Sequence, residues 1–328
     1  MKKSMWLFTL TLIMGTMITI SSNNWMSMWM GLELNLMSFI PLISNWNNKS
    51  SSEAAMSYFL IQSLSSMIML MMVIMNMVKY TLSINFINCL INMSILIKLG
   101  AAPFHSWLPE IMSKMEWNKC LILMTWQKIA PLMMISNLNN NMMINLSIIW
   151  SIVIGSLGGI NQSSLRKMLG YSSINHMGWL LAINKSMNLW MIYLILYSMI
   201  MLMMCRMLMS YKLYFINQVS SINMSNTEKI SMFIMMLSMG GLPPFLGFLP
   251  KWITIQTMIN NQEYFMIMIM IMFSLITLLY YIRIMTNIFL SFNSTIKWMT
   301  TNNNNKNFPL IIMMFNCSLP IIMMMDII

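Results

Sequence analysis

Long continuous runs of apolar residues occupy most of the sequence, and short polar stretches separate them. Clear examples are residues 6–20, 67–78, 189–204 and 265–279. Each run is close to the roughly 20 residues that a helix needs to cross a bilayer. A membrane β-barrel would instead alternate outward apolar positions with inward polar ones. The pattern therefore predicts transmembrane helices.

The polar stretches divide the chain into roughly eleven helices of bilayer-spanning length. The predicted breaks lie near Ser21, Ser44, Lys79, Lys114, Asn139, Arg166, Lys185, Lys212, Asn261 and Asn302. The first apolar segment resembles a signal peptide, but a second span begins at Trp25 and no small-residue cleavage site precedes it. We therefore predict an all-α polytopic membrane protein in which residues 1–328 form a single transmembrane domain.

Composition agrees with this pattern. The chain has 328 residues, of which 58% are hydrophobic and only 8% are charged, whereas a soluble domain carries about a quarter charged residues. A water-soluble surface cannot be built from so few charges. The 50 methionines are interpreted mainly as flexible apolar filler.

The formal net charge of +11 raises the question of a nucleic-acid partner. If the N-terminus faces inside, the outer loops carry only Lys79 and Lys185. The inner side then collects Lys2, Lys3, Lys49, Lys114, Lys119, Arg166, Lys167, Arg206, Lys212, Lys229, Arg283, Lys297 and Lys306. Because the positive-inside rule predicts such a bias, membrane topology explains the charge and no nucleic-acid partner is expected.

Cofactor motifs are missing from the sequence. The four cysteines stand far apart without a Cys-x-x-Cys pair, and there are two histidines, too few to hold two haems by paired histidines. Neither a Walker loop nor a dinucleotide-binding fingerprint occurs. We therefore expect no cofactor-binding and no metal site in this chain.

Four ionisable residues remain inside predicted spans: Glu33, Lys98, Lys128 and Lys251. A charge at the bilayer centre costs on the order of 3 kcal/mol even on the mildest scale, so it indicates a partner or a hydrated path. Glu33 and Lys128 fall too deep for their charges to reach the interface. Lys98 is less certain, because its span could place it nearer the inner end.

Proline and glycine interrupt the apolar segments that carry these lysines. Gly100 follows Lys98, and three glycines precede Lys251 within residues 240–251. The predicted helix breaks are at Pro103, Pro131, Pro243, Pro244 and Pro250. Broken backbone at membrane depth is tolerated where it is buried or lines a hydrated cavity. Two interrupted segments in the two halves of the chain predict paired structural repeats around a transport path.

Two histidines have open interpretations. His176 could relay protons, or it could simply bond to a neighbouring helix. His105 lies near the predicted inner interface beside Trp107, and is a second possible relay.

Six segments together resemble the NADH dehydrogenase subunit 2 family of mitochondria, the antiporter-like subunits in the membrane arm of respiratory complex I. They comprise residues 29–35, 98–105, 125–131, 159–166, 171–176 and 241–251. The resemblance covers nearly the full length. The richness in methionine resembles products of invertebrate mitochondrial genomes.

This resemblance implies a fold of two inverted five-helix repeats, each with a broken helix, in a chain that starts about three helices later than full-length relatives. It also implies roles for the buried charges. Glu33 and Lys98 would form a paired unit, Lys128 would be a central relay and Lys251 a terminal relay. Moving a partner charge changes whether a buried lysine holds a proton, so such a row can pass protons or a signal.

The resemblance further implies that FMN, iron–sulfur clusters and ubiquinone are bound by other subunits of the complex. Expected partners are the neighbouring antiporter-like subunit, the small membrane subunits and the lipids of the mitochondrial inner membrane. The N-terminus would lie in the matrix. Whether the chain exports a complete proton or relays charge laterally stays open.

Three rival functions are compatible with parts of the sequence. A quinone-binding redox subunit could use the region of His105 and Trp107, but no cofactor ligand set accompanies it. A structural scaffold would need no charges at mid-depth. A stand-alone cation/proton antiporter would use the same four charges, and it differs in that it purifies alone rather than within an NADH-oxidising assembly.

Overall fold

The computed structural model describes residues 2–45, 48–78, 83–138, 142–221, 224–290 and 307–320. Within these ranges the chain is helical and has no β-strand, which confirms the predicted all-α class. The predicted breaks at Lys79, Asn139 and Asn302 lie outside the described residues, as do Lys297 and Lys306.

The described helices follow one another along the chain with short connections. They are α1 (Lys2–Ser21), α2 (Trp25–Ile43), α3 (Lys49–Met77), α4 (Ile84–Leu99), α5 (Trp107–Lys114), α6 (Trp117–Met124), α7 (Ile129–Ser136), α8 (Met142–Ile160), α9 (Leu165–Ile183), α10 (Met187–Ser210), α11 (Ile216–Ser221), α12 (Asn226–Gly240), α13 (Phe248–Asn260), α14 (Tyr264–Leu290) and α15 (Asn307–Asn316). A 3₁₀ turn, Trp126–Lys128, joins α6 to α7.

Length and composition allow five of the described helices to cross a membrane: α2, α3, α8, α10 and most of α14. Met5–Ser21 and Ile84–Leu99 are shorter apolar helices. Other apolar segments are divided into two pieces, as in the pairs α4–α5, α6–α7 and α12–α13, while α9 is a single helix of 19 residues. The number of eleven spans therefore stays a prediction.

Loops that the charge argument assigns to the same side meet at one end of the bundle. The ammonium of Lys114 lies 3.0 Å from the Glu53 carboxylate, which joins the end of α5 to the start of α3. The backbone N–H of Leu165 donates to the Tyr214 carbonyl at 2.9 Å, which joins the α8–α9 loop to the α10–α11 loop. This grouping is what the alternation of spans predicts.

Basic side chains at this end also bond to the carbonyl ends of helices from other elements. These bonds are Lys119 Nζ to Ile43 O at 3.1 Å, Arg166 Nη1 to Met115 O at 2.6 Å and Arg283 Nη1 to Ile160 O at 2.8 Å. The last carbonyls of a helix lack partners within the helix and carry its negative dipole end. The clustered cations therefore stabilise helix ends.

Gly155 and Gly159, which form a Gly-x-x-x-Gly spacing on α8, lie at close helix contacts. A Cβ atom on Gly155 would lie 2.6 Å from the backbone nitrogen of Asn175 on α9, and one on Gly159 would lie 2.8 Å from the ring of Tyr280 on α14. Only glycine lets α8 approach both neighbours this closely. Helix α9 is thereby held in the centre of the bundle, where it meets the buried lysines.

Candidate functional site

Two broken helices, α4–α5 and α12–α13, have the same backbone design. In each pair the first piece ends at a glycine with left-handed conformation, Gly100 (φ 66) and Gly241 (φ 76). Residues 100–111 and 241–252 align without a gap. They share this glycine, a Pro-Phe pair in the bend, and an aromatic-Leu-Pro sequence where the second piece begins. The alignment supports the predicted paired repeats.

The predicted proline breaks fall into two groups. Pro103, Pro243 and Pro244 lie in the bends between helix pieces. Pro250 is instead the third residue of α13, where the backbone N–H would have no partner within the helix in any case. Pro250 therefore lies in the first turn after the bend, and its part in the helix break stays a prediction.

Pro131 acts just after an interruption of helical bonding. It is the third residue of α7, and the 3₁₀ turn Trp126–Lys128 precedes it. A proline ring clashes with the carbonyl four residues earlier, here that of Gln127, so the preceding turn cannot stay regular. Lys128 is thus presented from an irregular turn inside an apolar segment.

Lys98 lies in the last turn of α4 with 7% of its surface exposed. It lines a cavity of about 20 Å³, the other polar walls of which are Asn35, Tyr58, Gln62 and Gln127. This space suffices for about one water molecule. Among the described residues none accepts a hydrogen bond from the Lys98 ammonium, so the cavity is where that group can be solvated.

The polar walls of this cavity are bonded to one another. The Tyr58 hydroxyl donates to Gln127 Oε1 at 3.4 Å, and Gln127 Nε2 donates to Asn35 Oδ1 at 3.2 Å. Gln62 Nε2 donates to the Lys98 carbonyl at 3.3 Å. Gln127 directly precedes Lys128 in the chain, so this network ends beside the turn that carries the second lysine. The sequence analysis missed these residues, although amides inside apolar runs were a visible signal.

Glu33 is near Lys98 without forming a direct ion pair. It is half-buried on α2, and its buried Oε1 atom has no hydrogen-bond partner among the described residues. Its charge acts on Lys98, but no ion pair within 4 Å joins the two among the described residues. The expected interaction is therefore one of neighbouring charges, and its functional coupling stays a prediction.

Lys128 is the most buried of the three lysines, with 2% of its surface exposed. Its ammonium donates to the Ser173 carbonyl on α9 at 3.1 Å. It also lies 5.2 Å from the centre of the Tyr197 ring on α10. A carbonyl and an aromatic face, rather than a carboxylate, therefore surround this ammonium.

His176 occupies the same part of α9. Its Nδ1 lies 2.8 Å from the Tyr193 hydroxyl, and its ring centre lies 4.8 Å from that of Tyr197. The bond to a neighbouring helix, one of the two alternatives, is therefore present. The relay role stays a prediction.

Lys251 lies in the first turn of α13 with 4% of its surface exposed. Its ammonium donates to the Gly240 carbonyl, the end of α12, at 2.7 Å. It also lies 5.6 Å from the centre of a Trp179 ring on α9. The break in the helix thus supplies the oxygen that holds the lysine.

His105 is placed elsewhere. It lies in the bend between α4 and α5, with Nδ1 3.1 Å from the Pro103 carbonyl and its ring 6.5 Å from that of Tyr171. The contacts described above for Lys128 and Lys251 do not include His105. The structure therefore brings together Lys128, His176 and Lys251 along α9, whereas His105 lies in the bend that follows Lys98.

Comparison with known proteins agrees with this arrangement. Residues 22–277 match the model of the family described as "NADH:quinone oxidoreductase/Mrp antiporter, TM". The NADH-ubiquinone oxidoreductase chain 2 of Anopheles gambiae is 46% identical over 318 residues, which cover 94% of this chain and 93% of the relative. That of Oryctolagus cuniculus is 40% identical, covering 90% of this chain and 87% of the relative.

Solved structures show the same fold at low identity. A chain of respiratory complex I from Thermus thermophilus aligns with a TM-score of 0.83 at 19% identity, covering 97% of this chain and 77% of that chain. A chain of the Mrp complex from Dietzia aligns with a TM-score of 0.75 at 17% identity, covering 86% of this chain and 60% of that chain. The chain belongs to the family of NADH-ubiquinone oxidoreductase chain 2, within the NADH:quinone oxidoreductase/Mrp antiporter membrane proteins.

Proposed function

We propose that this chain is an antiporter-like core subunit in the membrane arm of proton-translocating NADH:ubiquinone oxidoreductase, in the mitochondrial inner membrane. Family membership supports the assignment. The observation that carries the role is the set of buried lysines, whose ammonium groups meet carbonyls, aromatic rings or a water-sized cavity instead of carboxylates. NADH oxidation and quinone reduction, with FMN, iron–sulfur clusters and ubiquinone, belong to other subunits.

The buried charges form a sequence along which protons or charge pass. Glu33 influences Lys98, and the cavity network with Gln127 connects Lys98 to Lys128. Helix α9 then connects Lys128 to Lys251. A lysine that gains or loses its proton changes the electrostatic energy of the next one. Transfer at one end is thereby communicated to the other.

Both described contacts of Lys251 are ones that an ammonium group makes. The Gly240 carbonyl is at the negative end of the α12 dipole, and the face of the Trp179 ring also attracts a cation. Release of the proton loses both interactions. A lysine can make this change, whereas an arginine stays protonated at any accessible pH.

The exposed side of α2 is evidence that a polar group of a partner subunit contacts Glu33. This carboxylate is only half-buried, while Met30, Leu34 and Met37 on the same helix are exposed. A carboxylate at this depth is too costly to leave against lipid. We place a small membrane subunit of the complex there, with the neighbouring antiporter-like subunit and inner-membrane lipids covering other apolar faces.

The end of the bundle where the basic loops meet faces the matrix in this proposal, together with the N-terminus. A core cluster that includes described residues from Leu12 to Ile312 supports the proposal that residues 1–328 act as a single transmembrane domain. Labelling of Lys49 and Lys212 in intact inner membranes tests the orientation. Reaction from the intermembrane side would contradict it.

Substitution of Lys251 in the assembled complex tests the relay role. Lys251→Met and Lys251→Arg should both lower coupled NADH oxidation and proton pumping about 10-fold or more, since removal of a proton-transfer group costs at least this much. Lys114→Met is the control, because that lysine is 42% exposed and pairs at the surface. Wild-type pumping by the arginine variant would exclude the relay role.

A stand-alone cation/proton antiporter is the second candidate, favoured by the structural match to an Mrp complex chain. The state of the chain after mild solubilisation separates the two. Recovery in a large NADH-oxidising assembly supports the main proposal, whereas recovery as an isolated, transport-active chain supports the antiporter.

A further inference from the structure

One face of α9 contacts the two most buried lysines, Lys128 and Lys251. Ser173 accepts a hydrogen bond from Lys128, and the Trp179 ring faces the ammonium of Lys251. His176 lies between them at helical spacing. Six residues of α-helix rise about 9 Å, so the contacts of the two lysines are about that far apart along the helix. This gap is where the two tyrosines of α10 are placed.

Tyr197 contacts Lys128 and His176 with its ring. The ring centre lies 5.2 Å from Lys128 Nζ and 4.8 Å from the centre of the imidazole. The hydroxyl of Tyr197 is buried and has no hydrogen-bond partner among the described residues. The described contacts of Tyr197 are therefore made by its aromatic face and not by its hydroxyl.

Tyr193 contacts His176 through its hydroxyl group, whereas Tyr197 does so through its ring. Its hydroxyl lies 2.8 Å from His176 Nδ1, and the residue is 1% exposed. The imidazole lies near the backbone of Met239, next to the Gly240 carbonyl that binds Lys251. A bond from Tyr193 fixes the ring plane and the tautomer of His176. The histidine is thus held from α10 toward the end of α12.

We infer that Tyr197 and Tyr193 are positioning residues for transfer between Lys128 and Lys251, Tyr197 through its ring and Tyr193 through its hydroxyl. The inference rests on the proposed relay role of the lysines. The aromatic face keeps the Lys128 ammonium beside His176, and the hydroxyl keeps His176 oriented toward the break. One proton leaves the Lys128 ammonium and one is taken up by the Lys251 amine, so no other reactant is consumed.

Four single variants in the assembled complex test the inference. Tyr197→Phe keeps the ring and should pump like the wild type. Tyr197→Leu removes the cation–π contact and should lower protons moved per NADH oxidised, with a loss of roughly 3- to 30-fold in coupled rate. Tyr193→Phe removes one hydrogen bond, with an expected loss of roughly 2- to 10-fold. Lys128→Met reports on the relay role itself.

Tyr214→Leu is the matched control. The Tyr214 ring lies 4.8 Å from the Arg166 guanidinium at the basic end of the bundle, so this variant removes the same kind of contact outside the relay. It should lower the amount of assembled complex without changing protons moved per NADH. A purely structural role for Tyr197 predicts the same result for Tyr197→Leu.

The outcomes separate the inference from the function on which it rests. Equal loss in Tyr197→Phe and Tyr197→Leu would overturn the role of the ring. Normal pumping by Tyr197→Leu together with impaired Lys128→Met would overturn the inference and leave the relay role standing. Normal pumping by Lys128→Met would overturn both. If Tyr197→Leu does not assemble, Tyr193→Phe decides, and wild-type pumping by that variant overturns the inference.

Discussion

The two broken helices share a backbone design but carry their lysines on opposite sides of the bend. Lys98 precedes the bend in α4–α5, and the aligned residue of α12–α13 is Met239. Lys251 follows the second bend, and the aligned residue of the first is Glu110, which is exposed. Glycine and proline therefore build the same scaffold twice, and the position of the charge gives each copy different chemistry.

The two lysines also differ in how their ammonium groups are solvated. Lys98 faces a water-sized cavity lined by side chains, and no described residue accepts a hydrogen bond from it. Lys251 is bonded directly to the Gly240 carbonyl. The first arrangement suits exchange of a proton with water, whereas the second suits retention of charge at a fixed place. Each of the following predictions tests this contrast.

The largest effect is expected in the first half, from Glu33→Gln and Lys98→Met. Each should lower proton pumping about 10-fold or more in the assembled complex. Because the two charges are neighbours without direct contact, the double variant should lose less than the sum of the separate free-energy effects. A strictly additive loss of pumping would show that the two residues act independently.

The second comparison is Gly241→Ala with Gly100→Ala. Both place a side chain at positive φ, which costs roughly 1–2 kcal/mol. Only at Gly241 would the new Cβ lie 2.7 Å from Lys251 Nζ; at Gly100 it meets the side chains of Leu108 and Trp107 at 3.0 Å. Gly241→Ala should therefore lower protons moved per NADH by roughly 5-fold relative to Gly100→Ala. Equal pumping per assembled complex would contradict direct use of the bend by Lys251.

A smaller effect is expected from Gln127→Leu, which removes the amide between Asn35 and Tyr58. Loss of a hydrogen-bonded wall should reduce pumping roughly 2- to 10-fold. Gln162→Leu is the control, since that amide bonds to the Gly158 carbonyl at a helix end. If both variants pump alike, the cavity does not connect Lys98 with Lys128.

The smallest effect should come from the helix caps. Ser225 caps α12 in a reciprocal pair with Glu228, whereas Ser83 at the start of α4 makes no side-chain cap. Ser225→Ala should lower the free energy of unfolding by about 1 kcal/mol, which would appear as earlier heat inactivation of the complex. Ser83→Ala should change it little. Neither should alter protons moved per NADH. A pumping defect in Ser225→Ala would mean that the start of α12 takes part in transfer.

Several features of the site were predictable because lipid makes them costly. A charge inside an apolar run, such as Lys128, is costly in a membrane helix and therefore indicates a partner or a function. The same holds for the clustered glycines and prolines of the bends, since together they interrupt helical hydrogen bonding. The place of Pro250 relative to the bend was not predictable from the sequence. Proline signals a helix start as well as a break, and only the first turn of α13 distinguishes the two.

The sequence by itself determined the helical membrane class, the places of the bends and the four charges inside apolar segments, because each follows from the cost of polar groups in hydrocarbon. Tertiary structure alone decided which residues surround those charges. Tyr193, Tyr197 and Gln127 are ordinary residues within apolar runs, and nothing in their spacing relates them to a lysine on another helix. Their roles depend on α9 packing between α8, α10 and α13, and such contacts join residues far apart in the chain.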